Sequence, residues 1–210
     1  MTDGRSFIFK GVSLAIIVDK EQKKQDIALA CKELILTKGI NNLTVAEVAK
    51  TACVGKGTIY EYFSNKDEIV FELVNILMQE HSQKLKSALE KQSSTKEKIR
   101  EFSRFFYSDE ERDLRQLYKE FISLSLVAPK SEMVTFHAQC NESYFLWFCE
   151  ILQDGITKGE LKIEALQLAK GLFVIGDGMF IQNSVTGKES DIQNDLDTFI
   201  DTLFDLMEKK

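Results

Sequence analysis

Apolar residues along this chain recur with the period of a helix almost throughout. Ile27, Ala30, Cys31, Leu34 and Ile35 fall at i, i+3, i+4, i+7 and i+8. That stripe predicts an amphipathic helix from about Lys23 to a C-terminal cap at Gly39. After the turn Asn41-Asn42-Leu43, the run Thr44-Val45-Ala46-Glu47 has the form of a capping box. The Thr44 hydroxyl caps the backbone N–H of Glu47, whose side chain reaches back. A short second helix follows, with Val45, Val48, Ala49 and Ala52 inward. Cys53-Val54-Gly55 predicts a tight turn, and Lys56 to Tyr62 a third short helix. Ser64-Asn65-Lys66-Asp67 is a start of the Ser-x-x-Asp kind. It launches a fourth helix that carries Ile69, Leu73, Ile76 and Leu77 and runs to about Lys91. Further helices are predicted near 96–107, 111–128, 131–158, 163–184 and 192–208, punctuated by Ser108-Asp109, Pro129, Gly159 and Thr186-Gly187. The expectation is an all-α protein of about nine helices, in three parts: an extension (1–22), a small helical domain (23–66) and a larger one (67–210).

Composition agrees with that pattern and removes several function classes. A single proline and 11 glycines in 210 residues leave few helix breakers, and a 44% hydrophobic share suffices for a packed core. The four cysteines (Cys31, Cys53, Cys140, Cys149) are far apart, so neither a disulfide framework nor a zinc finger is suggested. No stretch approaches the ~20 apolar residues of a membrane span. No membrane role is therefore expected, and the protein is read as cytoplasmic. Residues 1–18 are an oddity, with Phe7-Ile8-Phe9 and Leu14-Ala15-Ile16-Ile17-Val18 interrupted by Lys10, Gly11 and Ser13. Lys10 inside the apolar region and the lack of a small-residue cleavage site argue against a secretory signal. The segment is read as an extension without assigned function.

An enzyme needs a site, and none is legible. Gly55-Lys56-Gly57 lacks the third glycine and the preceding strand of a dinucleotide loop. There is no Walker run and no Gly-x-Ser-x-Gly. His137 and Cys140 share a helix face, but two ligands do not make a metal site. The expectation is a protein that is not an enzyme, with no catalytic residue, metal or cofactor.

Net charge at first argues against a nucleic-acid partner. Of 27 Lys+Arg and 33 Asp+Glu, however, residues 1–72 hold ten of each, so the remainder carries the whole −6. A neutral first third needs only locally grouped cations, because phosphate attraction is screened beyond about 8 Å in physiological salt. Two short helices joined by a three-residue turn, with a helix before them, form a helix-turn-helix. In that arrangement the second short helix projects its N-terminal side chains to base edges in the major groove.

Leu43-Thr44-Val45-Ala46-Glu47-Val48-Ala49 followed by Val54-Gly55-Lys56-Gly57-Thr58-Ile59-Tyr60-Glu61-Tyr62-Phe63-Ser64-Asn65-Lys66-Asp67-Glu68-Ile69 resembles the tetracycline-repressor (TetR) family of bacterial transcription regulators over about 23–72. Beyond that the resemblance lies in helix order, with Ile156-Thr157-Lys158-Gly159-Glu160-Leu161 and Asp177-Gly178 as similar punctuation. The chain departs from the family at Cys53, where glycine is usual, and at Gly55, where a Ser or Thr cap is usual. The resemblance implies a double-stranded DNA operator as partner. Thr44 would hold a phosphate, and Gly55, Lys56, Gly57 and Thr58 would open the recognition helix. Lys56 would meet a guanine edge or a phosphate, Thr58 a base edge or a thymine methyl, Tyr60 and Tyr62 the backbone oxygens or sugars, Lys66 a phosphate, and Phe63 would anchor the core.

In the acidic remainder, the stretch Gly171–Ile181 is apolar on nearly every side, broken by Asp177, and such a helix is expected to be buried all round. With the last helix it suggests a homodimer through a four-helix bundle, as the resemblance also implies; Leu172, Met179, Leu196, Phe199 and Leu203 are the candidate interface residues. Symmetry would present two recognition helices to a palindromic operator with half-sites ~34 Å apart. The family uses a cavity for a small-molecule effector. An aromatic concentration, with Phe102, Phe106, Phe121, Tyr144, Trp147, Phe148 and Asp177 as candidate liners, suits one here. Glu120, His137 and Glu142 are further candidate polar liners. The expected function is a repressor released by its effector. The alternative is a helical partner-binding protein without DNA-binding activity.

Overall fold

In the computed structural model the described residues are 20–207, so the extension over 1–18 and the last predicted helical position, 208, lie outside them. The described residues form helices and turns with no strand, and the chain divides into two compact units, Met1–Gln79 and Glu80–Lys210.

The first unit contains α1 (20–30), α2 (Lys32–Lys38), α3 (Val45–Thr51), α4 (Lys56–Tyr62) and the start of α5 (Lys66–Leu89). One helix was expected over 23–38, and two are found. At Cys31 (φ −91°, ψ 0°) the backbone N–H bonds to Ala28 O at 3.2 Å, a one-residue tightening that interrupts the helix. This raises the number of α-helices among the described residues to ten. The Cys31 thiol is buried and points at Val48 O, 3.8 Å away, and burial pushes its pKa up to about 11. Gly39 ends α2 at φ 78°, where a side chain would be strained. Ile27, Ile35, Leu43, Val48, Ile59, Phe63, Ile69 and Leu73 are buried within this unit.

The second unit holds the end of α5, then α6 (Thr95–Ser103), α7 (Arg112–Val127), α8 (Ser131–Thr157), α9 (Glu164–Thr186) and α10 (Ile192–Met207). The helix expected over 96–107 closes at Ser103, and Arg104–Phe106 winds into a tighter 3-10 turn. Its start is held twice. Ser94 and Glu97 form a capping box, and Glu160 Oε2 accepts the N–H of Thr95 at 2.6 Å from the far end of α8. Gly155 makes that crossing possible: a Cβ there would lie 2.4 Å from Thr95 Oγ1 and 2.8 Å from Cγ2. Lys98–Asp154 (2.9 Å) ties α6 to α8, and Lys96–Asp201 (2.7 Å) ties it to α10.

Within one chain, helix α9 is covered on one face only. Its buried face carries Ala165, Ala169, Gly176, Phe180 and Asn183. Gly171, Val174, Gly178, Ile181 and Val185 recur at i, i+3, i+7, i+10 and i+14 on the opposite face and are exposed. A hydropathy pattern reports that a helix is apolar all round, but one chain covers only one side.

Candidate nucleic-acid interface and effector cavity

The helix-turn-helix is assembled by local rules. Thr44 (φ −120°, ψ 147°) caps α3, its Oγ1 accepting from Glu47 N at 3.3 Å while its hydroxyl donates to Glu47 Oε2 at 2.8 Å. Lys38 closes on the same carboxylate. Its hydrogen bond, then that of Thr44, hold Glu47 below the usual carboxylate range. At the other end of α3 the chain turns through a Schellman motif. Val54 N–H reaches Ala49 O (2.9 Å) and Cys53 N–H reaches Lys50 O (3.3 Å). Cys53 therefore occupies the left-handed position, at φ 54°, as its replacement of the family's glycine implied.

The turn delivers Gly55 (φ −70°, ψ 152°) as the N-cap of α4, with no side-chain hydrogen bond. Gly55, Lys56, Gly57 and Tyr60 are exposed, Tyr60 at 61%, so the leading edge of α4 is open to solvent. Thr44 is exposed beside it in sequence order, whereas Thr58 and Tyr62 are half-buried. Phe63 anchors the unit at 1% exposure, beneath the Lys24 ammonium 5.6 Å from its ring centroid.

Two placements differ from expectation. The Lys66 ammonium donates to the carbonyls of Asn41 (2.6 Å) and Ile40 (3.4 Å), so it clamps α5 to the turn before α3 instead of projecting from the surface. The cap of α5 is Asn65, not Ser64: Asn65 Oδ1 accepts from Asp67 N (2.8 Å) and Glu68 N (3.1 Å). The two candidates are adjacent, and spacing alone does not separate them.

In the second unit a cavity of about 70 Å3 is lined by four of the expected effector residues, Phe102, Phe106, Phe148 and Asp177. The other three do not line it. Phe121 is buried against Phe136 (5.8 Å between centroids), Tyr144 shares a 3.0 Å hydrogen bond with Ser82, and Trp147 packs edge-on behind Phe102 at 6.1 Å. Glu120, His137 and Glu142 are also absent from the lining, and His137 lies stacked on Tyr118 at 5.7 Å. Ile99, Phe173 and Ile200 line the cavity without having been expected; their positions one helical turn from Phe102, Gly176 and Leu203 were the available signal. Tyr118 donates to Asp177 Oδ1 at 2.9 Å, and burial of Asp177 pushes its carboxyl above the ordinary range.

A larger polar hollow of about 350 Å3 lies between α7 and α9. Its cations are already engaged: Arg112 with Asp109 (2.9 Å), Lys119 with Glu189 (3.0 Å), and Arg115 with the carbonyls of Phe105 and Ser108.

The candidate dimer residues divide. Leu196, at 3% exposure, is packed into the chain's own core with Phe180 and Ile192, which corrects its assignment to an interface. Leu172 and Leu203 line the inner cavity. Met179 and Phe199 border an open groove between α9 and α10, together with Val174, Gly178 and Thr202. Among the described residues no helix is long and apolar enough to cross a membrane.

Comparison with known proteins adds to this geometry. The family model described as bacterial regulatory proteins, tetR family, matches residues 27–73. The fatty acid metabolism regulator protein of Bacillus subtilis is 32% identical over 80 residues, 38% of this chain and 41% of that relative. The chain thus spans about two-fifths of that relative's length. A TetR-family transcriptional regulator from Cytophaga hutchinsonii superposes with a TM-score of 0.76 at 14% identity, over 91% of this chain and 98% of that one. A protein from Saccharomonospora viridis, described as a transcriptional regulator in complex with choline, gives 0.74 at 16% identity over 90% and 99%. The family model thus falls on the helix-turn-helix, residues 27–73, and the fold along nine-tenths of the chain is that of solved transcriptional regulators.

Proposed function

We propose that the protein is a sequence-specific DNA-binding transcriptional regulator, a repressor that occupies a palindromic operator as a homodimer and leaves it when a small molecule fills the cavity of the second unit. The observation that carries the reading is the open leading edge of α4. Lys56, Gly57 and Tyr60 stand exposed on a short helix whose opposite side is anchored by Ile59, with Phe63 buried just beyond it. A side chain that reads base edges must be rigidly based and unobstructed, and this helix meets both conditions.

Dimerisation is supported by the second apolar face of α9. Val174 at 45% and Val185 at 74% exposure leave an apolar stripe uncovered in one chain, and Gly171 and Gly178 along it allow a close approach by a second copy. Release works by population shift: a ligand that prefers one spacing of the two recognition helices lowers operator affinity by its preference between the two states. The likeness to the choline-bound protein is one of fold. The effector's chemistry therefore has to come from this chain's own cavity.

Selection of bound fragments from the source genome, followed by titration of the double variant Lys56→Ala/Tyr60→Ala, tests the proposal. We expect affinity to fall by about tenfold or more, with a melting temperature close to that of the parent, and parent binding to weaken steeply as salt rises. Unchanged fragment binding by the variant, or no binding by the parent, overturns the reading and favours a partner-binding protein.

A further inference from the structure

Asp177 is the one ionisable group on the wall of the small cavity in the second unit, among the described residues. Phenylalanine rings and aliphatic side chains make up nearly all the rest. Gly176 brings Phe106 close beside it, since a Cβ there would stand 2.9 Å from the ring. The Tyr118 hydroxyl engages one oxygen of Asp177 at 2.9 Å and leaves the other for a ligand. Lys170, on the same helix, holds its ammonium 4.5 Å from the centroid of Phe145 and 6.0 Å from that of Phe173, and its charge acts on Asp177 only as a minor opposing influence beside burial and the Tyr118 hydrogen bond.

A carboxylate stripped of water attracts positive charge, and the faces of phenylalanine rings do the same. The two features here share one wall. A ligand carboxylate would meet repulsion from Asp177, and a neutral polar ligand would find little besides Asp177 and Ser103 to pair with. The space of about 70 Å3 is far below the ~300 Å3 of a drug-sized site, which limits the occupant to a compact head with a short apolar body.

We propose that this cavity takes a small organic monocation, its ammonium against Asp177 and its apolar body among Phe102, Phe106, Phe148 and Phe199. This rests on the reading of the cavity as the effector site.

The full-length protein is titrated with butyltrimethylammonium, hexan-1-ol and hexanoate, which share a short apolar body and differ in charge. Trp147 is the only tryptophan and packs on Phe102, so its fluorescence reports occupancy. The expected result is that the cation binds about tenfold or more tightly than the alcohol. Asp177→Asn then removes that advantage without weakening alcohol binding. Should Asp177→Asn fail to fold, Phe102→Leu serves instead, because it keeps an apolar body and removes a ring, and it lowers the preference for the cation. Equal or tighter binding of hexan-1-ol or hexanoate overturns the proposal, as does a folded variant that keeps the full preference. Fragment binding is measured in the same samples. Release from DNA by hexanoate alone overturns this assignment and leaves the regulator reading intact, whereas cation binding by a protein with no DNA affinity supports the cavity and overturns the regulator.

Discussion

The two units reach their working surfaces by different routes. In the first, each decisive step is made by neighbours in sequence: Thr44 caps α3 through Glu47, Cys53 turns the chain, and Gly55 starts α4. In the second, the cavity depends on side chains far apart along the chain. Gly155 admits Thr95, Glu160 caps Thr95, and Gly176 admits Phe106. A surface for a rigid duplex can be made by one short helix and its turn. An enclosed space needs several helices to agree on their spacing.

The largest effect that separates the units is expected from Phe63→Ala. Removing this buried ring should destabilise the first unit by about 3–5 kcal/mol. Fragment binding should be lost well below the temperature at which Trp147 fluorescence, a reporter of the second unit, changes. A simultaneous loss of both signals would show that the units melt as one.

Gly155→Ala probes the other route. The added methyl meets Thr95, so overpacking of about 1–3 kcal/mol should appear in the melting of the second unit, followed by Trp147. A variant as stable as the parent would show that the α6–α8 crossing has slack.

The smallest effect is a gain. Cys53→Gly relieves a left-handed residue and should raise stability by about 1 kcal/mol, measured by denaturant midpoint, with fragment binding retained. A loss of stability would mean that the Cys53 side chain makes a contact worth more than the strain.

These contrasts also explain what could be read before the structure. The bounds of α4, the cap at Thr44 and the strain at Cys53 follow from rules acting over a few residues, and the motif around them is specific. Lys66 is different: nothing nearby in sequence says that its ammonium reaches back to the carbonyls of residues 40 and 41. Leu196 was assigned outward because Leu196, Phe199 and Leu203 form one helical stripe, and such a stripe does not say which edge meets the chain's own core. The aromatic list is broader than the cavity's lining, which takes in Phe102, Phe106 and Phe148 but not Phe121, Tyr144 or Trp147. Ring count locates the cavity's neighbourhood, while the lining depends on how α6 and α9 cross.

The double hold on residue 95 has a mechanical consequence. Helix α6 is riveted at its first turn by the 94–97 box and by the Glu160 carboxylate, and its far end passes into the tighter 104–106 turn that carries Phe106, where Arg115 clasps the carbonyls of residues 105 and 108. A rod pinned at both ends has no easy swing, so Phe106, packed 5.6 Å from Phe180 between centroids, is a fixed part of the cavity wall.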